Sequence, residues 1–159
     1  QPWKFVVVRQ KNAELAKVAY GGNYDQVMEA PVTIALFTDT DLQRRARKIA
    51  RVGGVKNFTD EKLQYYMQNL PAEYARYNEQ QISDYLALNA WLVAMNLVLA
   101  LTDQGIGSNI ILGFDKSKVN EVLEIEERFR PELLITVGYA SEKVEPSYRL
   151  PVDEIIEKR

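Results

Sequence analysis

Short, dense apolar runs alternate along this chain with stretches of helical periodicity. Trp3 to Arg9 is a compact β-branched and aromatic run, the pattern of a mostly buried strand. Pro31 opens Val32-Thr33-Ile34-Ala35-Leu36-Phe37, which is apolar on both faces and predicts an interior strand. Leu133 to Tyr139 predicts another buried strand, and Asn109 to Leu112 a short one. Between them, Asn12 is placed to cap a helix over Ala13–Ala19, stopped by Gly21-Gly22. Asn23 to Glu29 reads as a turn or helix entry. Asp39 to Val52 predicts a helix ending at Gly53-Gly54. Thr59-Asp60-Glu61-Lys62 caps the next one, and Pro71 breaks or kinks it. Glu79 to Gln104 is the longest helical stretch, closed by Gly105. Gly113 precedes a helix from Asp115 to about Leu123, and beyond Pro146 the tail carries Arg149, Pro151 and a short acidic helix. No repeat and no linker interrupts this pattern, so 1–159 is expected to be one mixed helix–strand domain.

The longest helix carries a detail of its own. Tyr85 to Leu101 is apolar except for Asn89 and Asn96, and with Asp103 these fall seven residues apart, on nearly one face. The polar seam fits an Asn pair across a helix or subunit interface, or an Asn facing a ligand. A run this long approaches a membrane span, but buried amides are costly in lipid, and a helix covered by protein is the expectation. A helix apolar almost all round needs cover on every side, which a chain of this size supplies most readily as a dimer.

Composition narrows the chemistry. The 159 residues are 47% hydrophobic and 26% charged, as in ordinary globular domains, which excludes disordered and low-complexity classes. There is no histidine and no cysteine. Disulfides, Cys or His metal sites, thiol nucleophiles and imidazole catalysis are therefore excluded, and no metal site is expected. What remains is carboxylate, lysine, tyrosine and hydroxyl chemistry, or a cofactor with its own reactivity. With 20 basic and 22 acidic residues the net charge is −2, which gives no field for holding nucleic acid. The basic run Arg44-Arg45-Ala46-Arg47-Lys48 therefore reads as the solvated face of an amphipathic helix. Gly105-Ile106-Gly107 falls short of a phosphate-loop fingerprint and fits a helix stop. A start at Gln1, running straight into an apolar stretch, suggests that the natural N-terminal segment is missing. No export signal is visible, which points to the cytoplasm.

An ordered set of local patterns resembles the FMN-dependent nitroreductase family across essentially the whole chain. Gln1-Pro2-Trp3-Lys4-Phe5 is similar to its opening strand, and Gly22-Asn23-Tyr24-Asp25-Gln26-Val27 with Ala30-Pro31 to a flavin-contact segment. Asn96-Leu97, Leu99-Ala100, Gly105-Ile106-Gly107-Ser108 and Gly113-Phe114-Asp115 resemble its central helix, turn and strand. Pro131-Glu132-Leu133-Leu134-Ile135, Gly138-Tyr139 and Arg149-Leu150-Pro151 resemble its closing strand and tail. The stretch 53–84 carries little of the likeness and corresponds to the variable helical region over the substrate.

The resemblance implies an α+β fold with a mainly antiparallel sheet flanked by helices, in an intertwined homodimer with FMN at the subunit interface. NADH or NADPH would reduce the flavin, and a nitroaromatic, quinone or similar small acceptor would take the electrons in ping-pong fashion. No residue is then catalytic in itself. Ile111, Leu112 and Gly113 would supply backbone N–H near the reactive ring nitrogen. Gln1, Asn23, Gln26 and Asn89 would face the pyrimidine edge, and Arg149 the phosphate. Some members carry a basic residue where this chain has Gln26, and another where it has Ser147. Gln26 still donates a hydrogen bond but stabilises a reduced, anionic ring less. The family's Arg-rich N-terminal segment and the Ser and Asn residues before Gln-Pro-Trp are absent here, so much of the phosphate site has no counterpart. On their own, Asn23 also fits a turn, Gly113 a strand end, Arg149 a surface ion pair, and Tyr65, Tyr66, Tyr74 and Tyr77 ordinary packing. The same scaffold also serves flavin destruction, dehalogenation and azoline oxidation, and a non-enzymatic FMN-binding protein is the other alternative.

Overall fold

The computed structural model describes residues 1–55, 58–141 and 147–159. Its centre is a four-stranded sheet in the order β1-β2-β4-β3, built from β1 (Trp3–Val8), β2 (Val32–Asp39), β3 (Gly107–Ile111) and β4 (Phe129–Gly138). Every pairing is antiparallel, with β1 and β3 at opposite edges. Val32–Phe37, predicted as apolar on both faces, and Leu133–Tyr139, predicted as buried, fall in the two central strands, which helices cover on both sides. Trp3–Arg9, expected to be mostly buried, instead forms the edge strand β1, where Phe5 and Val7 are exposed. On one face Ala35, Phe37, Ile111 and Leu134 form a core with α1 (Asn12–Ala16), α2 (Asn23–Glu29) and α7 (Lys116–Leu123). On the other, Leu36, Leu133 and Ile135 pack against α6 (Glu79–Asp103).

Alanines at one-turn spacing explain how α6 approaches the sheet. Leu86, Ala90 and Ala94 are its fully buried positions, and the small pair lets the helix lie close to Leu36, Leu133 and Ile135. Its start is fixed by a capping box in which Asn78 and Gln81 exchange side chain–backbone hydrogen bonds of 2.8 and 2.9 Å. Gly105 closes it at φ +71°, a conformation that suits glycine.

Several local expectations change. Asn12 does not cap α1; its amide donates to Ala30 O at 2.6 Å, tying α1 to the end of α2. That helix ends at Ala16, and Ala19 instead bridges to Phe114. Helix α3 (Leu42–Val55) runs through Gly53-Gly54 rather than stopping there. The reason is packing: the Phe58 ring lies against Gly53, where a Cβ would collide with it. Pro71 does not break the chain either. The run from α4 (Asp60–Gln64) to α5 (Leu70–Tyr74) widens into a π-helical turn over Tyr65–Asn69, with the Leu70 N–H reaching back to Tyr65 O. Widening makes room for the proline ring, which a regular helix would press against its preceding turn. The tail's acidic helix is one 3₁₀ turn, Val152–Glu154; Pro146, where the tail was expected to begin, lies outside the described residues.

Candidate flavin site

Five of the eight expected cofactor residues come together where α2 meets the end of β3. Asn23 opens α2, and its Nδ2 donates to Gly113 O at 3.1 Å, a carbonyl that also accepts from Tyr20 N at 2.8 Å. A Cβ on Gly113 would stand 2.5 Å from Asn23 Nδ2. A side chain there would displace the Asn23 amide, so glycine serves this contact and not only the strand ending there. Ile111 is buried in the core below, while Leu112 is half exposed. Among the described residues, the N–H groups of Leu112 and Gly113 have no acceptor. They are free donors in a turn that the Asn23 contact holds still.

One helical turn along α2, Gln26 accepts at Oε1 from Asn109 Nδ2 at 2.6 Å. That bond fixes both amides and leaves Gln26 Nε2 and Asn109 Oδ1 to face outward as donor and acceptor. Asn109 was not expected from the sequence. The available signal was an Asn two positions before Ile111 in a strand, where Asn is unfavourable without a purpose. The helix carrying Asn23 and Gln26 is anchored by Val27, which is fully buried.

The other three expected residues make no hydrogen bond to this group among the described residues. Gln1 precedes β1 on the opposite edge of the sheet. Asn89 donates to Tyr85 O of its own helix at 2.8 Å. Arg149 is exposed in the tail, and its guanidinium donates to the neighbouring Tyr148 O at 2.8 Å.

Sequence reading also missed a buried polar cluster at the far end of the central strands. Glu132 accepts from Thr38 Oγ1 and from Arg130 Nε (2.8 Å), and Arg130 Nη1 donates to Ser83 Oγ (2.8 Å), fastening the start of α6 to β4. Asp39, beside it on β2, pairs with Arg128 at 2.8 Å. The signal was there: an ionisable residue inside the apolar run Pro131–Ile135 has to be partnered. Pro131 and Glu132 sit at the register shift where β2 skips from Leu133 to Pro131 as partner, and a bulge tolerates proline's missing N–H.

The tyrosines gather at the base of α6. Tyr74, Tyr77 and Tyr85 form a mutual aromatic cluster, with the Tyr74 and Tyr85 hydroxyls 3.1 Å apart. Burial, reinforced by the Tyr85 hydrogen bond, holds the Tyr74 phenol well above the usual tyrosine range. The Glu73 carboxylate, chiefly by charge repulsion, also raises the Tyr65 phenol. Both therefore stay neutral donors throughout the physiological range.

A family model described as the nitroreductase family matches residues 1–139. A Streptococcus pyogenes protein provisionally named an NAD(P)H nitroreductase is 64% identical over 159 residues, covering 100% of this chain and 79% of the relative. The crystal structure of a nitroreductase family protein from Streptococcus pneumoniae is 85% identical, with a TM-score of 0.96 over 99% of this chain and 79% of that one. A structure from Exiguobacterium sibiricum, provisionally named a nitroreductase and solved in complex with FMN, is 26% identical. Its TM-score is 0.88, over 99% of this chain and 77% of that one.

Proposed function

The chain belongs to the nitroreductase family, and from that premise we propose that it acts as a cytoplasmic NAD(P)H-dependent oxidoreductase, holding one FMN per subunit in a homodimer. The observation that carries this reading is the Asn23–Gly113 contact beside two backbone N–H groups with no acceptor among the described residues. That arrangement fits an isoalloxazine ring. A planar heterocycle rich in acceptors needs fixed donors and close backbone approach, and Gly113 allows the approach where a Cβ would already strike Asn23. When bound, FMN supplies a ring that accepts a hydride from NADH or NADPH and passes the electrons to a nitroaromatic, quinone or similar acceptor in ping-pong turnover.

The chain's own residues bind and orient. The Leu112 and Gly113 N–H groups, with Ile111 as the buried base of their turn, are assigned to the reactive ring nitrogen. They favour the electron-rich form because a donor is worth more to a ring that has gained charge. Asn23 and Gln26, the latter held by Asn109, are assigned to the pyrimidine edge. Gln1 and Asn89 are assigned to the same edge, and Arg149 to the phosphate. Because these three have no hydrogen bond to the Asn23–Gly113 group among the described residues, a site completed between two subunits accounts for them.

The long helix supports the dimer. On the side of α6 away from the sheet, Leu88 and Leu92 are 65% and 72% exposed, beside the largely exposed Met95 and Leu99. A contiguous apolar face of this kind is rare on a monomer. The decisive experiment titrates FMN into full-length apoprotein, wild type and Asn23→Ala, following quenching of flavin fluorescence. Stoichiometric binding that weakens at least about ten-fold in the variant supports the assignment. Equal affinities overturn it.

A further inference from the structure

Two amide contacts join α2 to the segment 109–113, and they run in opposite directions. Asn23 donates from the helix to Gly113 O at 3.1 Å, whereas Gln26 accepts at Oε1 a 2.6 Å bond from Asn109 Nδ2. Residues three apart on a helix lie on one side of it, so both side chains meet this segment from the same direction. The alternation of the strand brings Asn109 to them. It shares a face of β3 with Ile111, which packs with Val27 of α2 in one core.

Direction decides what each amide has left to offer. An amide that gives its N–H to a neighbour turns its oxygen away, and one that gives its oxygen turns its N–H groups away. Asn23 therefore presents an acceptor and Gln26 a donor, next to each other along α2. That order is complementary to an imide, where an N–H stands beside a carbonyl, as in the pyrimidine ring of a flavin. Gln26 is exposed within the chain, and an unheld amide would turn over freely. Its donor orientation rests on the bond from Asn109, 83 residues away.

We propose that Asn109 is a positioning residue that raises the midpoint potential of the bound flavin, by holding Gln26 Oε1 so that Gln26 Nε2 stays a donor to the ring carbonyl. The inference rests on the FMN reading above. Reduction spreads negative charge onto that carbonyl, and a hydrogen bond to a charged acceptor is roughly twice as strong as one to a neutral acceptor. A donor already fixed in place thus favours the reduced ring over the oxidised one, and the ratio of the two affinities sets the potential.

The test measures the midpoint potential of full-length FMN-loaded protein against a reference dye, with the affinity for oxidised FMN and the melting temperature alongside. Asn109→Leu keeps the side-chain volume and removes the donor. Asn109→Asp offers only acceptors, which turn the Gln26 amide over and point its oxygen at the ring. Both are made in wild type and in Gln26→Met. In wild type, Asn109→Leu should weaken reduced relative to oxidised FMN by about five-fold, and Asn109→Asp by about ten-fold or more, a fall in potential of at least about 30 mV. In Gln26→Met, Asn109→Leu should leave the potential in place and Asn109→Asp should lose most of its effect. Shifts of equal size in both backgrounds would overturn the proposal and leave the FMN reading standing. So would affinities for both flavin forms that fall together while the potential stays unchanged, the result of a merely structural role. Wild-type protein that takes up no FMN would remove the FMN reading and the proposal with it.

Discussion

At Gly113 a single absent methyl group connects sequence to cofactor. Alanine there would push Asn23 off the Gly113 carbonyl, since the new Cβ would lie 2.5 Å from Asn23 Nδ2. Gly113→Ala should therefore behave as Asn23→Ala does, weakening FMN binding about ten-fold or more while thermal melting changes little, because the turn lies at the surface. Flavin fluorescence titration beside a melting curve separates the two effects. Asp115 offers a pH readout two residues later. Its carboxylate caps α7, accepting from Ser117 N at 3.1 Å and Ser117 Oγ at 2.6 Å. The Ser117 bonds, with Lys118 beside them, hold its pKa below the usual aspartate range. A depressed carboxyl pKa adds stability above the unfolded value, and that stability is lost as pH falls through the folded one. Wild type should thus melt above Asp115→Ala at neutral pH, and the gap should close below about pH 4. Asn23 and Gly113 were singled out through the family resemblance, since by residue type alone they also fit a turn and a strand end. Asn109 was not, because its role depends on Gln26, 83 residues away.

Among the elements, α6 joins fold to assembly through two faces with opposite demands. Its inner face is a close fit: Ala94→Leu should cost about 1–3 kcal/mol by overpacking Leu36, Leu133 and Ile135, read as a shift in the denaturation midpoint. Its outer face should tolerate charge within one chain, so Leu92→Glu should leave helix content intact and abolish association, as sedimentation would show. At the end of the sheet, Glu132→Ala removes the acceptor shared by Thr38 and Arg130 and should destabilise the fold by about 2 kcal/mol. The two central strands were legible because burial on both faces leaves unbroken apolar runs, and α6 because its capped apolar stretch is long enough to be nothing but a helix. The course of α3 through Gly53 was not, since glycine there answers to the Phe58 ring rather than to a helix stop. The π-helical turn before Pro71 was hidden for a related reason. Apolar periodicity reports which face is buried and does not register one extra residue in a turn.

For the molecule as a whole, the proposed dimer is what would join the amide patch at Asn23 and Gly113 with Gln1, Asn89 and Arg149 in one site. The exposed leucines of α6 and the exposed apolar tail residues Leu150, Val152 and Ile155 point the same way. The absence of histidine and cysteine fits this account, because hydride transfer through a flavin asks the protein for donors and orientation rather than for an acid–base side chain. The most direct test follows the visible spectrum of FMN-loaded full-length protein under anaerobic conditions. NADH or NADPH should bleach the oxidised flavin completely, and adding a nitroaromatic or quinone in the absence of nucleotide should restore it. A flavin that stays oxidised with either nucleotide would contradict the account and leave an FMN-binding protein that does not oxidise nicotinamide cofactors.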